Sequence, residues 1–233
     1  MIKNIFLDLD DTILDFQQAE AIALSKTLTL LGLNPTNEIV SRYSQINAEQ
    51  WRLLEEEKCT REQVLINRFK ILFLEFDINC SGLEAKEKYE YLLGIGHYFI
   101  PNALDILETL HTQYNLYLAS NGTSIVQASR IKSAGIEKFF KEIFISEHIG
   151  YNKPSLAFFE HCFDKITDFS KDETIIIGDS LTSDIKGGNN AEIYTCWFNP
   201  NRNINNTDIL PDYEIIKLTD ISKVINNIKK VQK

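Results

Sequence analysis

The chain lacks any long hydrophobic run. No apolar stretch approaches the ~18–20 residues that a membrane span needs. The opening Met1-Ile2-Lys3-Asn4 leads through a short apolar segment straight to Asp8. That segment is too short for a secretory signal and carboxylates follow it at once, so a cytoplasmic location without membrane contact is expected. None of the four cysteines, Cys59, Cys80, Cys162 and Cys196, belongs to a Cys-x-x-Cys pair. Scattered thiols of this kind speak for a reducing compartment and against structural zinc. His97, His111, His148 and His161 likewise show no ligand spacing. Basic residues are in deficit: 24 Lys and Arg against 33 Asp and Glu give a net charge of −9, with no basic stripe. A nucleic-acid polymer is therefore disfavoured as a partner. A small anionic ester is compatible with that charge if a metal, a lysine or helix N-termini concentrate positive potential locally.

Breakers are missing from the middle of the chain. There is no glycine between Gly32 and Gly82 and no proline between Pro35 and Pro101. Leu65, Phe69, Leu72, Phe73 and Phe76 share one helical face. Thr60 with Gln63, and Ser81 with Glu84, have the spacing of capping boxes. Residues 16–97 are thus expected to form about four helices and no strand, as an insert after the first strand, Ile2 to Leu7.

From Pro101 onward strand and helix signals alternate. Pro101 is expected in the first turn of a helix that buries Leu104, Leu107 and Leu110. Leu116–Ala119 reads as a strand, followed by a helix after Gly122 that stops at Gly135. Ile143–Ile145 is a third strand and Pro154 the opening of a helix through Phe158 and Phe159. Ile175–Ile177 is a continuous apolar run suited to a strand buried on both faces. Thr195–Phe198 is a fifth strand, Asn199–Thr207 a loop, and Leu218–Lys233 an amphipathic helix with a basic tail. The alternation predicts an α/β protein with a parallel sheet flanked by helices. No internal repeat is present, and a monomer is the expected state.

Ligands of open parallel sheets collect at the C-terminal ends of the strands. The polar residues expected there are Asp8, Asp10, Asp11 and Thr12, then Ser120, Asn121 and Gly122, then Lys153, then Asp179 and Asp184. Each group alone has an ordinary reading: an Asp-rich turn, a strand-to-helix turn, a surface lysine, a helix cap. Their ordered recurrence at successive strand ends outweighs those readings. Several carboxylates, one lysine, two hydroxyls and a glycine turn opening a helix suit magnesium and a phosphate.

These residues resemble the four ordered motifs of the haloacid dehalogenase superfamily. The motifs are Asp8-Leu9-Asp10-Asp11-Thr12, Ser120-Asn121-Gly122, Lys153-Pro154, and Gly178-Asp179 with Asp184. The segments DLDDTILD, LASNG, NKPS and GDSLTSDIKGG are similar to its pyrimidine 5′-nucleotidase-like branch. The resemblance implies a Rossmann-like three-layer core, 1–15 with 98–233, and a helical cap, 16–97. It implies Asp8 as a nucleophile that forms an aspartyl-phosphate, and Asp10 as the acid and base that serves the leaving group and then water. Like charges around Asp10 would help to keep it protonated for the first step. Asp8, the backbone carbonyl of Asp10, and Asp179 would hold Mg2+. Thr12, Ser120, Asn121, Gly122 and Lys153 would bind phosphate, and Asp184 would orient Lys153 or a metal-bound water. Asp11 and Asp15 are read as structural, in the turn and at the hinge to the insert.

A calcium loop does not fit Asp8–Thr12, which lacks a glycine at the sixth position and a preceding helix. A phosphoreceiver does not fit, because here an acidic residue follows the lysine and a helical insert intervenes. A carbon-attacking dehalogenase would not want a carboxylate at position 10. The expected substrate is a small phosphate ester, by resemblance a nucleoside 5′-monophosphate. A phosphatase or mutase of small sugar phosphates, and a catalytically weak phosphate-binding regulator, remain as alternatives. Trp51, Tyr43, Phe69, Phe73 and Phe76 are candidates for stacking on a base, with bundle packing the commoner role for such residues.

Overall fold

The computed structural model describes residues 1–231. Six parallel strands form one sheet in the order β3-β2-β1-β4-β5-β6. They are β1 (Asn4–Leu7), β2 (Asn115–Ser120), β3 (Glu142–Ile145), β4 (Thr174–Gly178), β5 (Tyr194–Phe198) and β6 (Tyr213–Ile215). This is the doubly wound order of a Rossmann-type fold, which reverses direction beside β1 and opens a crevice there. Leu7 is level with Leu118 of β2 on one side and Ile177 of β4 on the other. The residues that follow these strands therefore emerge side by side.

Alternation along the strands builds the layers. Ile5, Leu7, Leu116, Leu118, Ile175 and Ile177 face one side. They pack there with Leu107 and Leu110 of α5 (Ala103–Leu110), Ile131 of α6 (Ser124–Ala134) and Ile225 of α10 (Ile221–Val231). Phe6, Tyr117, Ala119 and Ile176 face the other side and meet Phe158, Phe159 and Cys162 of α8 (Leu156–Phe163). Two short helices, α7 (Ser146–Ile149) and α9 (Lys186–Asn190), complete the connections.

Between β1 and α5 the chain makes four helices, α1 (Phe16–Leu30), α2 (Asn37–Glu55), α3 (Arg61–Glu75) and α4 (Gly82–Ile95). Their shared interior contains Ala23, Leu24, Tyr43, Phe69, Phe73 and Tyr89, and it is extended by Val126 of α6. Thr60 and Gln63 form a complete capping box at the start of α3, an arrangement that contributes about 1 kcal/mol. Ser81 caps α4 by accepting from the Glu84 amide, while the Glu84 carboxylate faces Lys88 at 3.5 Å. The two passages into and out of the insert run together. Asp15 N donates to the Tyr98 carbonyl at 2.8 Å, and Ile100 N donates to that of Ile13 at 3.0 Å.

Several boundaries differ from expectation for local reasons. Asn102, in the left-handed region at φ 65, sets the start of α5 at Ala103, so Pro101 lies before the helix. The buried face is then Ala103, Leu107 and Leu110, and Leu104 turns outward, 37% exposed. Pro154 likewise precedes α8, whose N-cap is Ser155. Phe76 ends α3 as its C-cap and is only half-buried. The last helix starts at Ile221, after a short 3-10 turn over Leu218–Asp220. Of its expected basic tail, Gln232 and Lys233 lie outside the described residues. Strand β6 and helix α7 carry too few residues to show a period of their own.

Candidate active site

The residues singled out at the strand ends meet in one place. Asp8 follows β1, and its amide donates to the Ile177 carbonyl at 3.0 Å, which locks it to β4. Ser120 ends β2, and Gly178 ends β4 immediately before Asp179. Lys153 arrives from the loop after α7. Asn121 holds it there: its side-chain oxygen accepts from Lys153 N at 2.8 Å and its amide nitrogen donates to the Lys153 carbonyl at 2.9 Å. The ammonium of Lys153 is buried and donates to Asp8 Oδ1, Asp184 Oδ1 and the Ala119 carbonyl, each at 2.6 Å. All three of its protons thus have acceptors.

Carboxylates outnumber this lysine. Oxygens of Asp8, Asp179 and Asp184 lie within 4.8 Å of one another. Burial pushes the Asp8 carboxyl up to about 8 against the pull of Lys153, with Asp184 and Asp10 adding to the rise. Burial, and then the charges of Asp8 and Asp184, hold Asp179 well above the usual carboxylate range. Burial alone would lower Lys153, but Asp184 and Asp8 outweigh it and keep the ammonium protonated. Three clustered acids with one counter-charge, all offering oxygen, are a donor set that fits a hard divalent cation. Asp184 stands closer to that set than its expected supporting role required.

Asp10 has partners that motif reading did not find. Its Oδ1 is ion-paired with Arg130, and its Oδ2 accepts from Gln127 Nε2 at 2.5 Å. Gln127 Nε2 also donates to Ser120 Oγ at 2.8 Å. Arg130 Nε reaches the Gly96 carbonyl, at the exit of the insert, at 3.2 Å. Like charges are expected around Asp10 from its sequence neighbours, and the structure adds a cation to them. The available signal was two polar residues, 127 and 130, one turn apart on the helix that opens after Gly122. A Cβ at Gly122 would collide with the Gln127 side chain, and one at Gly178 with the Asp184 carboxylate. Both glycines make room for site residues.

Three further residues of the first turn separate by role. Asp11, with φ 55, accepts from the Phe16 and Gln17 amides at 2.8 and 3.2 Å, so it tethers the start of α1. Asp15 caps α1 through the Gln18 amide at 2.8 Å. Thr12 is fully buried with an unpartnered hydroxyl and is not among the residues lining the cavity described next.

A cavity of about 210 Å³ lies over the carboxylates. The core side supplies Asp8, Asp10, Ser120, Lys153 and Asp179, and the insert supplies Phe16, Trp51, Glu55, Leu65, Arg68, Glu90 and Leu93. Of the five aromatic candidates for stacking, Trp51 alone is in this lining. Tyr43, Phe69 and Phe73 fill the bundle interior, and Phe76 packs at its margin. Two insert residues clasp the strand-end loops. Arg61, at the start of α3, donates to the carbonyls of Asn121 and Gly122 at 2.6 and 3.1 Å, to Ser146 Oγ at 2.7 Å and to Asn152 Oδ1 at 2.6 Å. Glu55 accepts from Thr182 Oγ1 at 3.0 Å. Burial, reinforced by Asp184, pushes Glu55 up to about 7 although the Thr182 bond opposes the shift. No sequence pattern marks Arg61 or Glu55, because their partners are distant in the chain.

Among the described residues, no helix is long and apolar enough to cross a membrane. Residues 5–198 match the haloacid dehalogenase-like hydrolase family. The HAD-hydrolase YfnB of Bacillus subtilis is 42% identical over 224 residues, which is 96% of this chain and 95% of that protein. A crystal structure of YfnB bound to magnesium superposes with a TM-score of 0.92 over 97% of this chain and 99% of its own, at 41% identity. The pyrimidine 5′-nucleotidase PynA of Streptococcus pneumoniae is 36% identical over 220 residues, 94% of this chain and 93% of that protein. Strand order, motif positions and whole-length similarity agree: the chain belongs to the haloacid dehalogenase-like hydrolase family and is an enzyme built as a phosphoric monoester hydrolase.

Proposed function

We propose that the chain is a magnesium-dependent phosphomonoesterase that works through an aspartyl-phosphate on Asp8, with nucleoside 5′-monophosphates as substrates. The observation that carries this reading is the Lys153 bridge between Asp8 and Asp184 beside Asp179. It pairs a buried carboxylate nucleophile with a fixed positive charge at the place where a transferring phosphoryl group needs one.

In this reading a carboxylate oxygen of Asp8 attacks phosphorus as the ester P–O bond breaks. Asp10 gives its proton to the departing alkoxide. It then takes one from water, which attacks the aspartyl-phosphate, releases inorganic phosphate and restores Asp8. Gln127 and Arg130 hold the Asp10 carboxylate between the two proton transfers. Ser120, the backbone of Asn121 and Gly122, and Lys153 receive the phosphate oxygens, at the entry to α6. Asp8, Asp179 and the carbonyl of Asp10 would hold Mg2+, which would supply further neutralisation of the phosphoryl oxygens. The four-helix insert, read as a cap over 16–97, closes the site against the leaving group.

The nucleotide assignment is supported by the similarity to PynA across nearly the whole chain and by the aromatic side chains of Trp51 and Phe16 in the cavity lining. A panel of phosphate esters with Mg2+ tests it. Release of phosphate is expected from nucleoside 5′-monophosphates and is expected to vanish in Asp8→Asn. A preference for hexose phosphates would overturn the nucleotide assignment, and activity retained by Asp8→Asn would overturn the nucleophile.

A further inference from the structure

Arg68 of α3 and Glu90 of α4 both line the insert side of the cavity. An arginine and a glutamate this close and this enclosed would ordinarily form a tight two-bond pair. They do not. Arg68 Nη2 stands 3.8 Å from Glu90 Oε1, beyond hydrogen-bond reach. Glu90 Oε1 is sealed from solvent and has no hydrogen-bond partner. The gap is held open from the Arg68 side. Arg68 is pinned by Nη1 to Asn47 Oδ1 at 3.0 Å and by Nε to the Leu65 carbonyl at 3.3 Å, with its guanidinium over the Tyr89 ring at 4.7 Å. The other oxygen of Glu90 faces Lys86 at 3.5 Å.

A buried acceptor left open beside a fixed donor is unfavourable unless something completes it. Both residues belong to the cavity lining, and Glu90, whose other oxygen meets Lys86 at 3.5 Å, can turn Oε1 toward a ligand seated there. The lining also includes Trp51, Leu65 and Leu93, apolar side chains that suit a flat ring better than a hydroxyl-covered sugar. A nucleobase offers such a ring with a donor and an acceptor adjacent on its pairing edge. We propose that Glu90 Oε1 and Arg68 Nη2 are the acceptor and donor that read the pairing edge of the substrate base. For a uracil or thymine ring, N3–H donates to Glu90 and the adjacent carbonyl accepts from Arg68. The assignment rests on the nucleotide reading above and adds to it the residues that select the base.

Kinetics on uridine 5′-monophosphate, its 3-methyl derivative and ribose 5-phosphate test it, with Mg2+ and full-length protein. A site built to bond an N–H rejects an analogue that cannot supply it, so the wild type should favour the unmethylated nucleotide by about 100-fold or more in kcat/KM. In Glu90→Ala that ratio should fall to about threefold or less, and the ratio of uridine 5′-monophosphate to ribose 5-phosphate should fall at least about tenfold. Glu90→Met, which keeps the side-chain volume without the carboxylate, gives the same comparison if the alanine variant does not fold. A methyl discrimination that is absent in the wild type or intact in the variants would overturn the base-reading pair while leaving nucleotide hydrolysis standing. A wild type that prefers ribose 5-phosphate would overturn the nucleotide reading itself.

Discussion

Arg61 Nη1, on the helical insert, donates to the carbonyl oxygen of Asn121 at 2.6 Å, and the side chain of the same Asn121 clamps Lys153 by its backbone. The insert is thereby tied, through one residue, to the lysine that bridges Asp8 and Asp184. Hydrogen bonds from a charged donor contribute about 1.5–3 kcal/mol. Arg61→Ala should therefore lower kcat/KM by about tenfold or more. Arg61→Lys should recover only part of the loss, since an ammonium cannot span four acceptors arranged for a planar fork. Steady-state kinetics beside a melting curve would check this; a change in melting temperature without a change in kcat/KM would contradict it.

Lys153→Met leaves Asp8, Asp179 and Asp184 without their internal counter-charge. Breaking a buried pair by removing one partner destabilises by about 3–5 kcal/mol, and phosphatase activity should fall by about 100-fold or more. Chemical denaturation in metal-free buffer would show the first effect and phosphate release the second. Unchanged stability would mean that the carboxylates are neutral without the lysine.

Divalent metal should stabilise the fold. At a magnesium concentration about 100 times its Kd, the gain is about 2.7 kcal/mol, which for a chain of this size corresponds to about 5–10 °C in melting temperature. A chelator should reverse the shift, and Asp179→Asn should reduce it sharply. An equal shift in Asp179→Asn would remove Asp179 from the ligand set.

Glu55 makes stability depend on pH. Its ordinary value of 4.5 applies to the unfolded chain, and burial raises it to about 7 in the fold. Between those values the folded chain keeps a proton that the unfolded chain has released, so this group's contribution to stability falls as pH rises through the window. Glu55→Gln has no such proton. Its melting temperature relative to wild type should climb from pH 4.5 to about 7 and level off above, as differential scanning at several pH values would show.

The order of the motifs was legible because each belongs to a short local segment. An apolar β-run ending in Asp8, the Ser120-Asn121-Gly122 turn before a helix, and the run Ile175–Ile177 before Gly178 and Asp179 each carry strand, turn and chemistry within a few residues. The insert was legible for the same reason, since helical periodicity and the Thr60–Gln63 cap are local. Errors fell where a single backbone conformation decides. Asn102, entering the left-handed region, moved the start of α5 and turned Leu104 outward. Strand β6 has three residues and takes its identity from pairing with β5, which no local pattern records.

The sequence by itself determined the fold class, the four helices after β1 and which acids and lysine stand at the strand ends, because period, capping and motif order act over short stretches of chain. Only the tertiary structure decided what surrounds them: Arg130 and Gln127 on Asp10, Arg61 on Asn121, and the open pair of Arg68 and Glu90. Those relations join residues as much as 120 positions apart. Their strength depends on distances and burial that exist only once the sheet has aligned its strand ends and the insert has packed against them.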